Sequence, residues 1–140
     1  MKAALAESKK ALPDCLPNPP VGCVIVKDGQ ILASGFTQAP GQFHAEASAL
    51  AQVDGSLADC EIYVTLEPCS FQGRTPSCAK SLVSRHPKKV YISIEDPDPR
   101  NLGKGISILQ EAGIEVETGI LNQQVNAFIA SYLNLPQNQL

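Results

Sequence analysis

A hairpin near the start of the chain restricts the possible folds more than any other feature. Two runs rich in β-branched residues, 21–26 and 31–37, flank a turn at 27–30 whose centre is Asp28-Gly29. Asp-Gly is among the pairs most favoured in tight β-hairpins, so the first two strands are predicted to be antiparallel. After them, strands alternate with helical segments, a pattern typical of a sheet with helices on both faces. The sequence therefore predicts an α/β fold with a five-stranded mixed sheet.

Proline, glycine and turn sequences bound the predicted elements. No repeat, linker or low-complexity segment interrupts the alternation, so residues 1–140 are predicted to form one domain, with a frayed polar tail at 136–140. The predicted strands are 21–26, 31–37, 61–66, 89–94 and 114–117, and the predicted helices are 3–12, 43–53, 76–85, 105–112 and 122–133.

The composition argues against several classes of protein. No apolar run approaches the roughly 20 residues that cross a bilayer, and the start lacks the apolar stretch of a secretory signal. No membrane partner and a cytoplasmic location are therefore predicted. The net charge is −3 and lysine and arginine nowhere cluster, which argues against a nucleic-acid partner. The five cysteines are an odd number, which favours thiols or metal ligands over a set of disulfides.

Four residues in two separate segments carry the strongest chemical signal. A single residue separates His44 from Glu46. Cys69 directly follows a proline, and Cys78 comes nine positions later. Both segments come after strands and at the starts of helices, an edge of α/β sheets where ligands collect. One imidazole and two thiolates are a good ligand set for Zn²⁺ and leave a fourth position for water. Glu46 is then placed to take a proton from that water and pass it to a leaving amine, which is the arrangement of zinc deaminases.

Each of these residues alone has an ordinary explanation. His44 could be a core or helix-terminal histidine, Glu46 an acid favoured by the helix dipole, and the cysteines buried apolar residues. Their joint order favours the metal site. A closed, purely structural zinc site would need a fourth protein ligand, and Glu46 would have no purpose in it. The remaining cysteines, none close to the ligand segments in sequence, are Cys15, Cys23 and Cys60.

The spacing of the two cysteines resembles one branch of the cytidine deaminase superfamily. Most members have Cys-x-x-Cys, whereas here eight residues, including Gly-Arg-Thr-Pro, separate Cys69 from Cys78. That insertion is similar to the corresponding segment in the deaminases of riboflavin biosynthesis. Two further segments resemble the same family: Pro-Asn-Pro-Pro-Val-Gly-Cys at 17–23, and Asp-Pro-Asp-Pro-Arg at 96–100 with Gly-Lys-Gly at 103–105. The resemblance extends from the first helix to about Tyr132. It implies a three-layer α/β/α fold of the cytidine deaminase type.

The resemblance also implies a reaction and a pocket. The family removes an amino group from a diaminopyrimidinone that carries a ribosylamino 5′-phosphate, and its members commonly form dimers or tetramers. Asn18 would hydrogen-bond the substrate, although it could instead fix the proline-rich turn. Arg74 would face the phosphate, although it could be a solvated loop charge. The other residues expected at the substrate are Thr37, Ala45, Phe71, Asp96 and Asp98.

Three of these positions depart from the family pattern. Thr37 and Phe71 stand where the family usually has histidine, and Asp98 stands where it has asparagine. The changes remove two imidazoles and add a carboxylate, which makes the pocket less suited to an anionic ligand. The alternative prediction is therefore a deaminase of the same mechanism acting on another aminated pyrimidine or purine. A transfer-RNA substrate is disfavoured by the acidic balance, and the sequence leaves open whether a reductase domain accompanies the deaminase.

Overall fold

The sheet grows outward from the predicted hairpin. In the computed structural model, which describes residues 1–73 and 75–133, β1 (Gly22–Lys27) and β2 (Gln30–Phe36) are antiparallel. Between them Asp28 and Gly29 have φ angles of 52° and 77°. Two consecutive left-handed residues define the type I′ turn, whose twist matches that of the flanking strands. The sequence prediction for this hairpin is confirmed.

Three further strands complete a mixed sheet. The strand β3 (Glu61–Leu66) pairs antiparallel with β1, and β4 (Lys89–Ile94) and β5 (Glu115–Thr118) follow in parallel. The strand order is β2-β1-β3-β4-β5. The crossovers from β3 to β4 and from β4 to β5 each contain one helix, as parallel neighbours require.

Five helices cover the two faces of this sheet: α1 (Lys2–Lys9), α2 (Ala45–Leu50), α3 (Cys78–Arg85), α4 (Lys104–Glu111) and α5 (Asn122–Leu133). The helices α1 and α5 share one face, where the Lys9 ammonium lies 5.7 Å from the ring of Phe128. On the other face α3 packs between α2 and α4. The predicted three-layer α/β/α architecture is confirmed.

Two helices are shorter than predicted for the same reason. The backbone after α1 closes with i to i+3 hydrogen bonds from Ala11 to Ser8 and from Leu12 to Lys9. The backbone after α2 does the same, from Gln52 to Ala49 and from Val53 to Leu50. Such tighter turns often end an α-helix, and apolar periodicity does not distinguish them from it.

The core lies between the sheet and its helices. Each fully buried aliphatic side chain there stabilises the fold by about 1.5–3 kcal/mol relative to exposure. No helix among the described residues is both long and apolar enough to span a membrane. The large side chains at the centre of the core are Ile25, Ile62, Val64, Leu82, Val90, Ile92, Leu109 and Ile129.

Candidate active site

Three predicted ligand residues converge from three elements. His44 is the N-cap of α2, Cys78 is the first residue of α3, and Cys69 lies in the loop after β3. One ring nitrogen and the two Sγ atoms lie within 4.8 Å of one another. His44 Nδ1 is 3.4 Å from Cys78 Sγ. The fold thus brings His44 next to Cys78, 34 positions away in the chain.

The N-terminus of α3 stabilises a thiolate on Cys69. The thiol of Cys78 and the imidazole of His44 both hydrogen-bond to Cys69 and lower the pKa of its thiol. The backbone N–H of Cys78 also donates to Cys69 Sγ over 3.1 Å. The same shared hydrogen bond raises the pKa of the Cys78 thiol. One negative charge is therefore already favoured within the cluster.

The second nitrogen of His44 has its own partner. Nε2 lies 3.2 Å from Oγ1 of Thr75, a residue that the sequence did not single out. If Nδ1 binds a metal, Nε2 carries the proton and donates it to this hydroxyl. A partner of this kind orients an imidazole and selects its tautomer.

These donors fit zinc. Tetrahedral zinc with bonds of about 2.1 Å to nitrogen and 2.3 Å to sulfur places its ligand atoms roughly 3.5–3.8 Å apart. The separation of 3.4 Å between His44 Nδ1 and Cys78 Sγ is close to that range. Within residues 1–73 and 75–133, Cys15, Cys23 and Cys60 do not join the group, so the cluster supplies three ligands. Three protein ligands are typical of a catalytic zinc site.

Glu46 is buried beside this cluster. It lies in the first turn of α2, it is only 4% exposed, and it lines the cavity that contains His44 and Cys69. Burial, together with the negative charge on Cys69, raises the pKa of its carboxyl to about 7. A carboxyl group that exchanges its proton near neutral pH suits general acid–base chemistry.

The cavity has a volume of about 400 Å³, which suits a small-molecule ligand. It gathers five of the seven residues expected at the substrate. Ala45 is fully buried in the core, does not line the cavity, and its contact with substrate stays a prediction. Arg74 lies outside the described residues. The predicted residues that line the cavity are Asn18, Thr37, Phe71, Asp96 and Asp98.

Two of these residues already have partners in the protein. Thr37 Oγ1 accepts the N–H of Val21 over 3.0 Å, which ties the end of β2 to the proline-rich loop. Asp96 accepts the N–H of Asp98 and the side-chain amide of Asn101. By contrast, the side chain of Asn18, which also lines the cavity, hydrogen-bonds to no other residue within the described ranges.

Three residues to which the sequence assigned no individual role brace the Cys69 loop. Glu67 is buried and accepts backbone N–H groups from 96, 103 and 106, each over 3.1 Å. The fully buried Asn101 accepts the N–H of Ser70 over 2.8 Å and donates to the carbonyl of Pro68. A Cβ at Gly105 would lie 1.9 Å from that carbonyl oxygen. The start of α4 therefore supports the loop that carries Cys69.

The family model of the cytidine and deoxycytidylate deaminase zinc-binding region matches residues 1–94. The chain belongs to this family. The matched region contains the three cluster residues and Glu46, which confirms the resemblance to the cytidine deaminase superfamily.

Relatives within the deaminase family share most of this chain but extend well beyond it. The riboflavin biosynthesis protein RibD of Actinobacillus pleuropneumoniae is 44% identical over 91% of this chain and 34% of its own length. The structure of Acinetobacter baumannii RibD has a TM-score of 0.89 and 45% identity, covering 94% of this chain and 37% of that one. A diaminohydroxyphosphoribosylaminopyrimidine deaminase/5-amino-6-(5-phosphoribosylamino)uracil reductase from Thermotoga maritima has a TM-score of 0.87 and 38% identity, covering 95% and 39%. The chain thus spans little more than a third of these proteins.

The Thr75 hydroxyl is expected to strengthen metal binding by this chain. Thr75→Val keeps the shape of the side chain but removes the partner of His44 Nε2, so affinity for zinc should fall about 10- to 100-fold. Competition with a chromophoric chelator measures this affinity. Thr75→Ser retains the hydroxyl and should bind zinc nearly as the unaltered protein does. Equal affinity in all three proteins would show that the hydrogen bond does not orient the imidazole.

Proposed function

We propose that this chain is a zinc-dependent hydrolytic deaminase acting on a diaminopyrimidinone that carries a ribosylamino 5′-phosphate. The observation that carries the proposal is the position of Glu46, buried in the same cavity as His44 and Cys69. The name of the Thermotoga maritima relative supports this choice of substrate. Residues 1–140 are proposed to act as one deaminase domain.

The proposed reaction replaces an exocyclic amino group with oxygen. His44, Cys69 and Cys78 would hold the zinc, and the chemistry that zinc supplies in such a site is activation of a water molecule near neutral pH. Glu46 accepts a proton from the attacking water as its oxygen bonds to the ring carbon. Glu46 then delivers a proton to the exocyclic nitrogen as the carbon–nitrogen bond breaks. Ammonia leaves, the second water proton ends on the ring nitrogen, and a ring carbonyl remains.

Burial of the site favours this proton transfer. Glu46 is 4% exposed, and this burial brings the pKa of its carboxyl close to neutral pH. Positioned acid–base groups contribute about 10²–10⁴ in rate. Asn18, whose side chain is without a hydrogen bond among the described residues, is proposed to bind the polar edge of the ring. Arg74, outside those residues, is proposed to face the phosphate.

A different aminated pyrimidine or purine is the second candidate substrate. Thr37 favours it, because its hydroxyl already bonds to the backbone of Val21 and offers no imidazole to the ligand. Phe71 likewise contributes an apolar ring to the cavity wall. The chemistry at Glu46 would be unchanged, and only the recognition of the substrate would differ.

The test is ammonia release by zinc-loaded protein. The riboflavin-pathway aminopyrimidine phosphate should be turned over at least as fast as any of cytidine, cytosine, adenine, guanine or deoxycytidylate. Faster turnover of one of these would assign the second candidate. No ammonia from any substrate, with zinc bound, would contradict the deaminase proposal. Homo-oligomeric assembly and a cytoplasmic location stay predictions, and light scattering in solution checks the first.

A further inference from the structure

Arg100 links two cavity residues that depart from the family pattern. Its Nε donates to both oxygens of Asp98 over 3.1 Å, and Nη2 donates to Oδ2 over 2.6 Å. Its backbone N–H also donates to Oδ1 over 2.9 Å. The guanidinium carbon lies 5.2 Å from the centre of the Phe71 ring, within the range of a cation–π contact. A guanidinium held on two sides in this way has little freedom to turn.

The carboxylate introduced at position 98 is therefore not an unpaired charge in the cavity. Asp98 lines the cavity, and the guanidinium of Arg100 lowers the pKa of its carboxyl. The pair together carries no net charge, which removes the repulsion of an anionic ligand expected from the sequence. The departures from the family pattern at Asp98 and Phe71 are structurally linked, because Arg100 contacts both side chains.

Arg100 is exposed to solvent and contacts two residues of the cavity wall, Asp98 and Phe71, whereas Glu46 is buried. Its side chain is 52% exposed and that of Asp98 is 31% exposed, whereas Glu46 is 4% exposed. A substrate whose reacting amine reaches Glu46 and whose far end extends to Asp98 and Phe71, which line the same cavity, would meet the Arg100 guanidinium. Nε and Nη2 are occupied by Asp98, and among the described residues Nη1 makes no hydrogen bond. Nη1 therefore retains two N–H donors, of a kind that matches phosphate oxygens.

We propose that Arg100 is a specificity-determining residue that binds the phosphate of the substrate through Nη1, with Asp98 and Phe71 fixing its orientation. The inference rests on the proposed function for the identity of the substrate, but its test does not depend on turnover. An exposed ion pair with no further role would contribute little to stability and nothing to ligand choice. The distinguishing property is a preference for phosphorylated over dephosphorylated ligand.

Binding is measured by calorimetry on zinc-loaded protein carrying Glu46→Gln, so that the ligand is not consumed. The ligands are the aminopyrimidine phosphate and the same compound without its phosphate. Arg100→Gln should weaken binding of the first about 10- to 100-fold, the range for a hydrogen bond to a charged group, and leave binding of the second unchanged. Arg100→Lys keeps the positive charge but lacks the planar guanidinium, so its affinity for the phosphorylated ligand should lie between those of the unaltered residue and Arg100→Gln. Lys88→Gln, an exposed lysine in the connection before β4, removes the same charge and should change neither affinity.

Arg100→Gln could weaken binding in two ways: by removing a direct contact with the phosphate, or by leaving the Asp98 carboxylate unpaired so that it repels the phosphate. A double variant distinguishes the two. Asp98→Asn combined with Arg100→Gln should still bind the phosphorylated ligand weakly, whereas recovery to the original affinity would overturn the proposal. Equal weakening for both ligands, or none for either, would also overturn it. The two proposals can also fail separately. If the protein with Glu46 intact releases no ammonia from this compound, the proposed function is refuted. A phosphate preference that depends on Arg100 would still support the inference.

Discussion

Glu46→Gln should abolish nearly all turnover while leaving the zinc content unchanged. Glutamine has almost the same shape as glutamate and fills the same buried space beside His44 and Cys69, but it cannot carry a proton from water to the leaving nitrogen. The expected loss in turnover is about 10²–10⁴. Because the three donor residues are untouched, one zinc per chain should remain. Turnover is followed by ammonia release, and zinc by elemental analysis of the same sample.

The matched control for this prediction is Glu111→Gln. Glu111 is exposed at the end of α4, so the substitution removes the same charge far from the cavity. Its turnover should equal that of the unaltered protein. Unreduced turnover in Glu46→Gln would refute the acid–base role. Loss of zinc together with turnover would instead place Glu46 among the groups that hold the metal.

Gly105→Ala should strongly destabilise the protein, although alanine is the better helix former. Gly105 has helical backbone geometry, and an alanine there would ordinarily stabilise the helix by about 1 kcal/mol. Here the added Cβ would lie 1.9 Å from the carbonyl oxygen of Pro68 and 3.3 Å from Cγ of Glu67. The helix and the loop must separate, so the free energy of unfolding should fall by about 3 kcal/mol or more. Urea denaturation followed by circular dichroism measures it.

The consequence should extend to the metal site, because Pro68 directly precedes Cys69. Separation of α4 from this loop would also disturb the hydrogen bonds of Glu67 to the backbone of 103 and 106. Zinc affinity should therefore fall together with stability. Lys104→Ala, at the neighbouring exposed position, should alter neither property. A more stable Gly105→Ala protein would show that the loop can yield without cost.

Short-range patterns determined most of what could be predicted. The Asp28-Gly29 turn specifies a hairpin because few other pairs adopt two left-handed conformations. The spacing of His44 and Glu46 follows from one helix start, and the alternation of strands and helices limits the sheet to a few arrangements. Each of these signals is contained within a single element or a single turn. They are readable from the chain because their physical cause is local.

The surroundings of the Asp98 carboxylate in the cavity wall became visible only in the folded chain. The added carboxylate at Asp98 predicts a pocket that disfavours anions, but its pairing with Arg100 cancels that charge. The effect of a charged side chain depends on its partners, and spacing along the chain does not reveal the contact of Arg100 with Phe71, 29 positions away. Thr37 likewise lines the cavity, but its hydroxyl oxygen already accepts a hydrogen bond from the backbone N–H of Val21.

The support of the metal loop is also a property of the folded chain. Glu67, Asn101 and Gly105 are ordinary residue types in the sequence, and each acquires its role only where α4 meets the loop after β3. Thr75 reaches His44 across 31 positions for the same reason. The sequence by itself predicted the donor set, the acid and the layers of the fold, since these predictions follow from residue type and local period. Only the tertiary structure decided how the donors are held and which residues share the cavity wall, because both depend on distances between segments remote in the chain.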